Sequence, residues 1–187
     1  ATLAISGAVS SQDGAVSVTS ASTLDTSAAV SGDSVTIQAA GTTTIGAAVS
    51  SDNGALELTN TVSTVTINAD VTSSNGALTV TFNGGNLTLG DNVDISSTGG
   101  ALGFVSSGSY TIAASSGGTI ISTDNNVSIP KALAVSRKAA GTASTYHVKA
   151  GALLTVSGAL SLTGNDSSRS DGTTLLKIEA GTIDITA

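Results

Sequence analysis

Apolar residues along this chain come in short alternating pairs: Val16/Val18, Val35/Ile37, Leu56/Leu58, Leu78/Val80 and Leu102/Phe104, each split by a polar residue or a glycine. Alternation with a period of two over so few residues predicts short, half-buried β-strands. A second series comprises Leu3/Ile5, Ile45, Val65/Ile67, Leu87/Leu89 and Tyr110/Ile112, advancing by about 21 to 23 residues. A third, of single residues, comprises Val9, Val30, Val49, Val71 and Val93. Whole phrases recur as well: Val49 to Leu58 (VSSDNGALEL) returns as Val71 to Val80 (VTSSNGALTV) and more loosely from Val93 to Phe104. An earlier copy, Val9 to Val18, leaves room for one degenerate coil around Val30 to Ile37. A repeat of this length is the mark of a solenoid, and three strand series per repeat describe the three faces of a triangular coil.

The corners have their own signature. Gln12-Asp13-Gly14, Asp52-Asn53-Gly54, Ser74-Asn75-Gly76 and Thr98-Gly99-Gly100 fall between the third series and the first. Glycine and asparagine tolerate positive φ, so a sharp left-handed corner is expected there. Asn-Gly between alternating runs also fits β-hairpins in an antiparallel meander. The copies repeat in the same sense, however, and like side chains stack only when strands run parallel from coil to coil. Past Val105 the phase slips through Gly117-Gly118 and Asp124-Asn125-Asn126, and Pro130, the only proline, marks a change of texture. A rhythm then returns in Leu133/Val135, Leu154/Val156 and Leu176/Ile178, with a companion series in Leu160/Leu162 and Ile183/Ile185.

The expectation is one continuous all-β parallel solenoid over residues 1–187. It has regular coils over 1–105, irregular coils over 106–130 and a candidate subregion over 131–187. About nine coils of some 21–22 residues, at roughly 4.8 Å each, make a rod on the order of 40 Å long.

Composition sharpens this picture. Of 187 residues 40% are hydrophobic, too many for a disordered tail, yet aromatics make up 2% and Cys, Met and Trp are absent. A bulky central core is out of reach, and small aliphatic residues must be buried in thin layers, as stacked coils bury them. Without cysteine there is no disulfide framework, and the redox compartment stays open. No basic-then-apolar leader and no apolar run of membrane-helix length is visible; with alanine first, the chain reads as a mature form or an excised fragment.

The net charge of −7 is unevenly spread. Lys131, Arg137, Lys138, Lys149, Arg169 and Lys177 all follow Pro130, whereas nine acids and no cation precede it. An acidic face repels phosphate and anionic membrane, which argues against nucleic-acid partners. It suits a solvated surface, or electrostatic complementarity between the two ends of a stacking rod.

Candidate chemistry is sparse. His147 is the only histidine, and alternation within Tyr146-His147-Val148-Lys149 turns it toward solvent. No nucleophile elbow, phosphate-cradling loop or zinc signature is present, so no catalytic, cofactor or metal residue is assigned and no enzyme is expected. Pectate-lyase-like β-helices act on acidic polysaccharides with clustered acids and nearby cations, but here no cation lies among the amino-terminal acids. Asp13, Asp52 and Asp91 are turn aspartates with the oxygen chemistry for calcium, the one cofactor candidate, although the nonapeptide calcium repeat is absent. Thr42/Thr44, Thr64/Thr66 and Thr79/Thr81 are outward pairs similar to those of ice-binding solenoids. Ice binding needs the pairs on one face rung after rung, and Glu57, Thr59 and Asn60 read as interruptions, so ordinary solvated faces are expected. The polar stretch Thr163 to Gly172 is the one loop long enough to protrude and the first place to seek local recognition. A transmembrane barrel lacks its aromatic girdles here.

Val65-Thr-Ile-Asn-Ala-Asp70, Asn75-Gly-Ala-Leu-Thr-Val80, Gly85-Asn-Leu-Thr-Leu-Gly90 and Ser97-Thr-Gly-Gly-Ala-Leu102 resemble filamentous-haemagglutinin-type repeats of large exported bacterial surface proteins. That resemblance implies a right-handed parallel β-helix, found outside the cell or on its surface, acting in adhesion, biofilm or cell contact. The Asn-Pro secretion motifs of that family's amino-terminal domain are not found here. The expected function is therefore a structural extracellular rod or filament segment. Its partners are a further stretch of solenoid, in a longer chain or a second copy stacked end to end, and a cell-surface protein or glycan. The alternative is a calcium-dependent surface-layer or matrix lattice; a polysaccharide-active enzyme and an ice-binding solenoid rank lower.

Overall fold

The computed structural model describes residues 1–90, 92–106, 112–114, 120–123, 125–129, 133–136, 144–157, 160–163 and 174–185. Strands of the first five turns are short because corner residues interrupt the alternation after two to five positions. The first turn consists of β1 (Thr2–Ile5), β2 (Val9–Ser10) and β3 (Val16–Ser20), the second of β4 (Thr23–Thr26), β5 (Val30–Gly32) and β6 (Val35–Ala39). The third holds β7 (Thr43–Ile45), β8 (Val49–Ser51) and β9 (Leu56–Asn60), and the fourth β10 (Val65–Ile67), β11 (Val71–Ser73) and β12 (Leu78–Phe82). In the fifth are β13 (Leu87–Leu89), β14 (Asp94–Ser97) and β15 (Leu102–Val105). Beyond them come β16 (Ile112–Ala114), β17 (Ile120–Thr123), β18 (Val127–Ile129), β19 (Leu133–Ser136), β20 (Ser144–Val156), β21 (Leu160–Thr163) and β22 (Thr174–Ile185).

Every described pairing in the three stacks is parallel and joins a strand to its counterpart one turn away, which excludes the antiparallel meander. One face is an eight-stranded sheet from β1 to β21; the other two are stacks that β20 joins into a single fourteen-stranded sheet. The chain is thus an all-β parallel solenoid. Where about nine coils are expected, it makes five regular turns up to Val105, and only β16, β19 and β21 extend the first face further. The count falls short because the period is not constant. Val30 pairs with Val49, 19 residues on, Val71 with Ile95, 24 on, and Val148 with Ile178, 30 on.

The first strand series pairs as expected, Val16 with Val35, Val35 with Leu56, Leu56 with Leu78 and Leu78 with Leu102. Other assignments need correction. Val71 stacks on Ile95, not Val93, and Leu87 on Ile112, so Tyr110, which lies outside the described residues, is not its partner. Leu24 and Thr26 supply the second-turn member that the second series lacks. The returning rhythm is also regrouped: Leu133 pairs with Leu160 on the first face, whereas Leu154 stacks between Val127 and Ile183, and Leu176 lies beside Tyr146.

Inward residues of all three faces form one continuous core, mostly Val, Leu and Ile, in which Phe82 and Phe104 are also buried. Most apolar side chains lie on a like one from the next rung, as Leu56 on Leu78 and Ile67 on Leu89, so every added turn buries the apolar edge of the last. Several buried polar residues are tied between rungs. Asn60 Nδ2 donates to Gly41 O and to Thr43 Oγ1 at 2.8 Å, while its Oδ1 accepts from Val62 N at 3.0 Å and Ser63 N at 2.8 Å. Ser51 donates to Ser73 at 3.0 Å, and Ser73 and Ser97 each donate to Gly76 O at 2.8 Å.

The corners are sharp for a different reason than expected. Asn92, with φ 55°, is the one non-glycine residue at positive φ among those described, and Gly54, Gly76 and Gly100 do not adopt it. What demands glycine is contact between rungs: a Cβ on Gly76 would lie 2.1 Å from Gly54 O. The corner asparagines act through their side chains, Asn53 Nδ2 donating to Asp33 Oδ1 at 2.7 Å and Asn75 Nδ2 to Asp52 O at 2.7 Å.

Candidate functional site

Strand alternation points one residue in two outward, and register decides which outward residues meet. The turn aspartates are not brought together. Asp13 and Asp52 are exposed at the same corner but in the first and third turns, about 9.6 Å apart at the usual rung spacing, and Asp91 lies outside the described residues. Asp33, between them, has its carboxylate engaged by Asn53. Among the described residues no group of three or more His, Cys, Asp or Glu converges to hold a metal ion.

A different acidic pair, which no repeat motif marks, forms at the start of β14. Asp70 Oδ1 accepts from the backbone N–H of Asp94 at 2.9 Å, while Oδ1 of Asp94 is buried with no hydrogen-bond partner. Burial raises the pKa of Asp94 above the ordinary carboxylate value, Ser96 opposes the shift through a hydrogen bond, and the Asp70 charge adds to it. Only the register of β11 on β14 brings the two acids together, since they are 24 residues apart in the chain.

On the same face, Ser96, Ser122 and Lys149 follow one another in register. With Ser97, Thr98 and Thr123 they line a cleft of about 130 Å³. Its floor is already committed, because Ser97 donates to Gly100 O at 2.9 Å and Thr123 donates to the same carbonyl at 2.6 Å. His147 lies within β20, in register with Ile120 and Lys177, and its side chain falls outside the described residues. So do the protruding-loop candidate after Thr163, and Pro130, Lys131, Arg137, Lys138 and Arg169.

The outward threonines are sorted by the fold. Thr79 and Thr81 belong to the β12 face, in register with Glu57 and Thr59. Thr44, Thr66 and Thr88 stack on the first face, and the bonds from Thr43 N to Thr64 O (3.0 Å) and from Val65 N to Asn86 O (3.2 Å) align Thr42, Thr64 and Asn86 beside them. Glu57, Thr59 and Asn60 therefore do not interrupt the Thr42/Thr44 and Thr64/Thr66 pairs: Glu57 and Thr59 are on another face, and Asn60 is buried.

At the start of the stack, Leu3 and Val9 occupy positions whose partners Leu24 and Val30 are fully buried, yet they stay 39% and 36% exposed. The first turn has a neighbour on one side only. No helix among the described residues is long and apolar enough to cross a membrane. No family model, curated protein or solved structure matches the chain.

Proposed function

We propose that this chain is a structural rod segment, extracellular or displayed on a cell surface, which acts in adhesion, cell contact or matrix through its length and stiffness. The observation that carries the reading is the stack of parallel rungs on one continuous apolar core. Leu3 and Val9 sit at core positions with the unpaired edges of β1, β2 and β3 beside them. Such an edge takes a further rung of the same kind, from a longer chain or from a second copy stacked end to end. The resemblance to filamentous-haemagglutinin-type repeats supports the surface setting. A non-enzymatic role fits the use of buried polar groups in rung-to-rung bonds. A cell-surface protein or glycan would be met over a broad face rather than in a pocket.

Electron microscopy and sedimentation of the purified chain, with and without a chelator, test this reading. Thin filaments that persist in chelator and shorten in Leu3→Asp are expected. Monodisperse single rods would refute end-to-end stacking, and filaments that dissolve in chelator would move the assignment to a calcium-dependent lattice.

A further inference from the structure

On the first face, three successive turns present a regular, uncharged grid: Thr42 and Thr44, Thr64 and Thr66, Asn86 and Thr88. Its flanks are neutral too, with Ala40, Val62 and Gly84 on one side and Gly46, Asn68 and Gly90 on the other. In a chain of net charge −7 this patch carries no acid, the nearest on that face being Asp25 one turn earlier. Threonine is stiff at χ1, so its methyl and hydroxyl follow the spacing of the backbone beneath, and Thr42 Oγ1 also shares a hydrogen bond of 3.2 Å with Ser63 Oγ. A Cβ on Gly85 would lie 2.8 Å from the Thr64 Cγ2 methyl, so glycine there leaves that methyl uncrowded.

The grid spacing is about 4.8 Å from rung to rung and about 6.7 Å between alternate residues of a strand. Water joined tetrahedrally by hydrogen bonds of about 2.75 Å repeats at about 4.5 Å between second neighbours and about 7.3 Å across two layers. Both protein spacings fall within about a tenth of these values. Hydroxyls anchor waters at that repeat, and the methyls between them leave those waters to bond to one another. A charged partner finds nothing to pair with here. The grid and its flanks hold no aromatic residue on which a sugar ring could stack.

We propose that this threonine face binds ice, holding a layer of ordered water that merges with the crystal surface. It goes beyond the rod function, which stands or falls by filament length independently of this face. The test is the growth of single ice crystals in solutions of the whole protein, read as the freezing–melting gap and crystal shape. Wild-type protein is expected to open a gap and facet the crystals. Thr66→Lys and, separately, Thr44→Lys should reduce the gap at least threefold with unchanged circular dichroism, whereas Thr79→Lys on the β12 face should leave it intact. Crystals that grow as unmodified discs in wild-type protein would overturn the proposal. So would equal losses in all three variants. Ordinary ice growth combined with Thr66-dependent pairing of rods or retention on crystalline cellulose would also overturn it, assigning the face to a second copy or to a neutral glycan.

Discussion

Turns before Val105 and turns after it solve the same packing problem in different ways. In the earlier region the strands hold two to five residues, and the corner between the second and third faces is a glycine pressed against the rung below, as at Gly76. In the later region β20 runs 13 residues through both faces, and the corner shrinks to a register shift between Ala150 and Leu153. Val148 and Leu154 are nonetheless buried on the same two faces as Val71 and Leu78. A rung is held by what stacks at its core positions, and the number of residues between those positions is free to grow from 19 to 30. Extra loop length is tolerated because its closure entropy rises only logarithmically.

Corner substitutions should separate the two regions most. Gly76→Val forces side-chain atoms into the backbone of the turn below and should cost about 4 kcal/mol in urea unfolding, whereas Ala152→Val, at the exposed later corner, should stay within about 0.5 kcal/mol. A comparable loss at Ala152 would mean both regions build the corner alike. Core truncation should show what they share. Leu78→Ala and Leu154→Ala remove fully covered side chains and should each cost about 3 kcal/mol in one cooperative transition. Two resolved transitions in Leu154→Ala would make the later turns a separate folding unit.

Polar ties come next. Asn60→Ala strands the amides of Val62 and Ser63, and a loss of about 2 kcal/mol is expected, measured as a shifted urea midpoint with unchanged slope. The smallest effect belongs to Asp94. Because its folded pKa is raised, the native state holds the proton more tightly than the unfolded chain. That contribution is fully present below the ordinary carboxylate pKa and is lost as pH rises through the raised value. Asp94→Asn should therefore gain slightly on wild type at pH 7 and lose the advantage by pH 3, as read from melting temperatures. Parallel pH profiles of the two proteins would mean that Asp94 titrates normally.

Sequence pattern and structure part company where the repeat is degenerate. Val93 was the natural stacking partner for Val71, but Ile95 takes the place; Tyr110/Ile112 suggested one register on Leu87, and the fold adopts another. Both slips are of two residues, and a two-residue slip keeps every side chain on its original face. Beyond Pro130, equal spacing suggested that Leu133, Leu154 and Leu176 form one column, yet three different stacks receive them or their neighbours once turns lengthen. The corner glycines were legible as corners but not as contacts, because the atom that excludes a side chain belongs to another turn. The Asp70–Asp94 pair is invisible for the same reason, its members being one turn apart, and while Thr42/Thr44 and Thr64/Thr66 stand out as outward pairs, their sharing one uninterrupted face with Asn86 and Thr88 does not.

The sequence by itself determined that the chain is a parallel β-solenoid and which residues point inward. Those properties are local: alternation fixes facing, repetition fixes parallel stacking, and composition fixes what side chains are available. Only the tertiary structure decided how many residues each turn takes, which aspartates meet, and that threonines from three turns share one neutral face. Lateral register between rungs is set by the fit of whole turns on one another, and strand alternation carries no information about it.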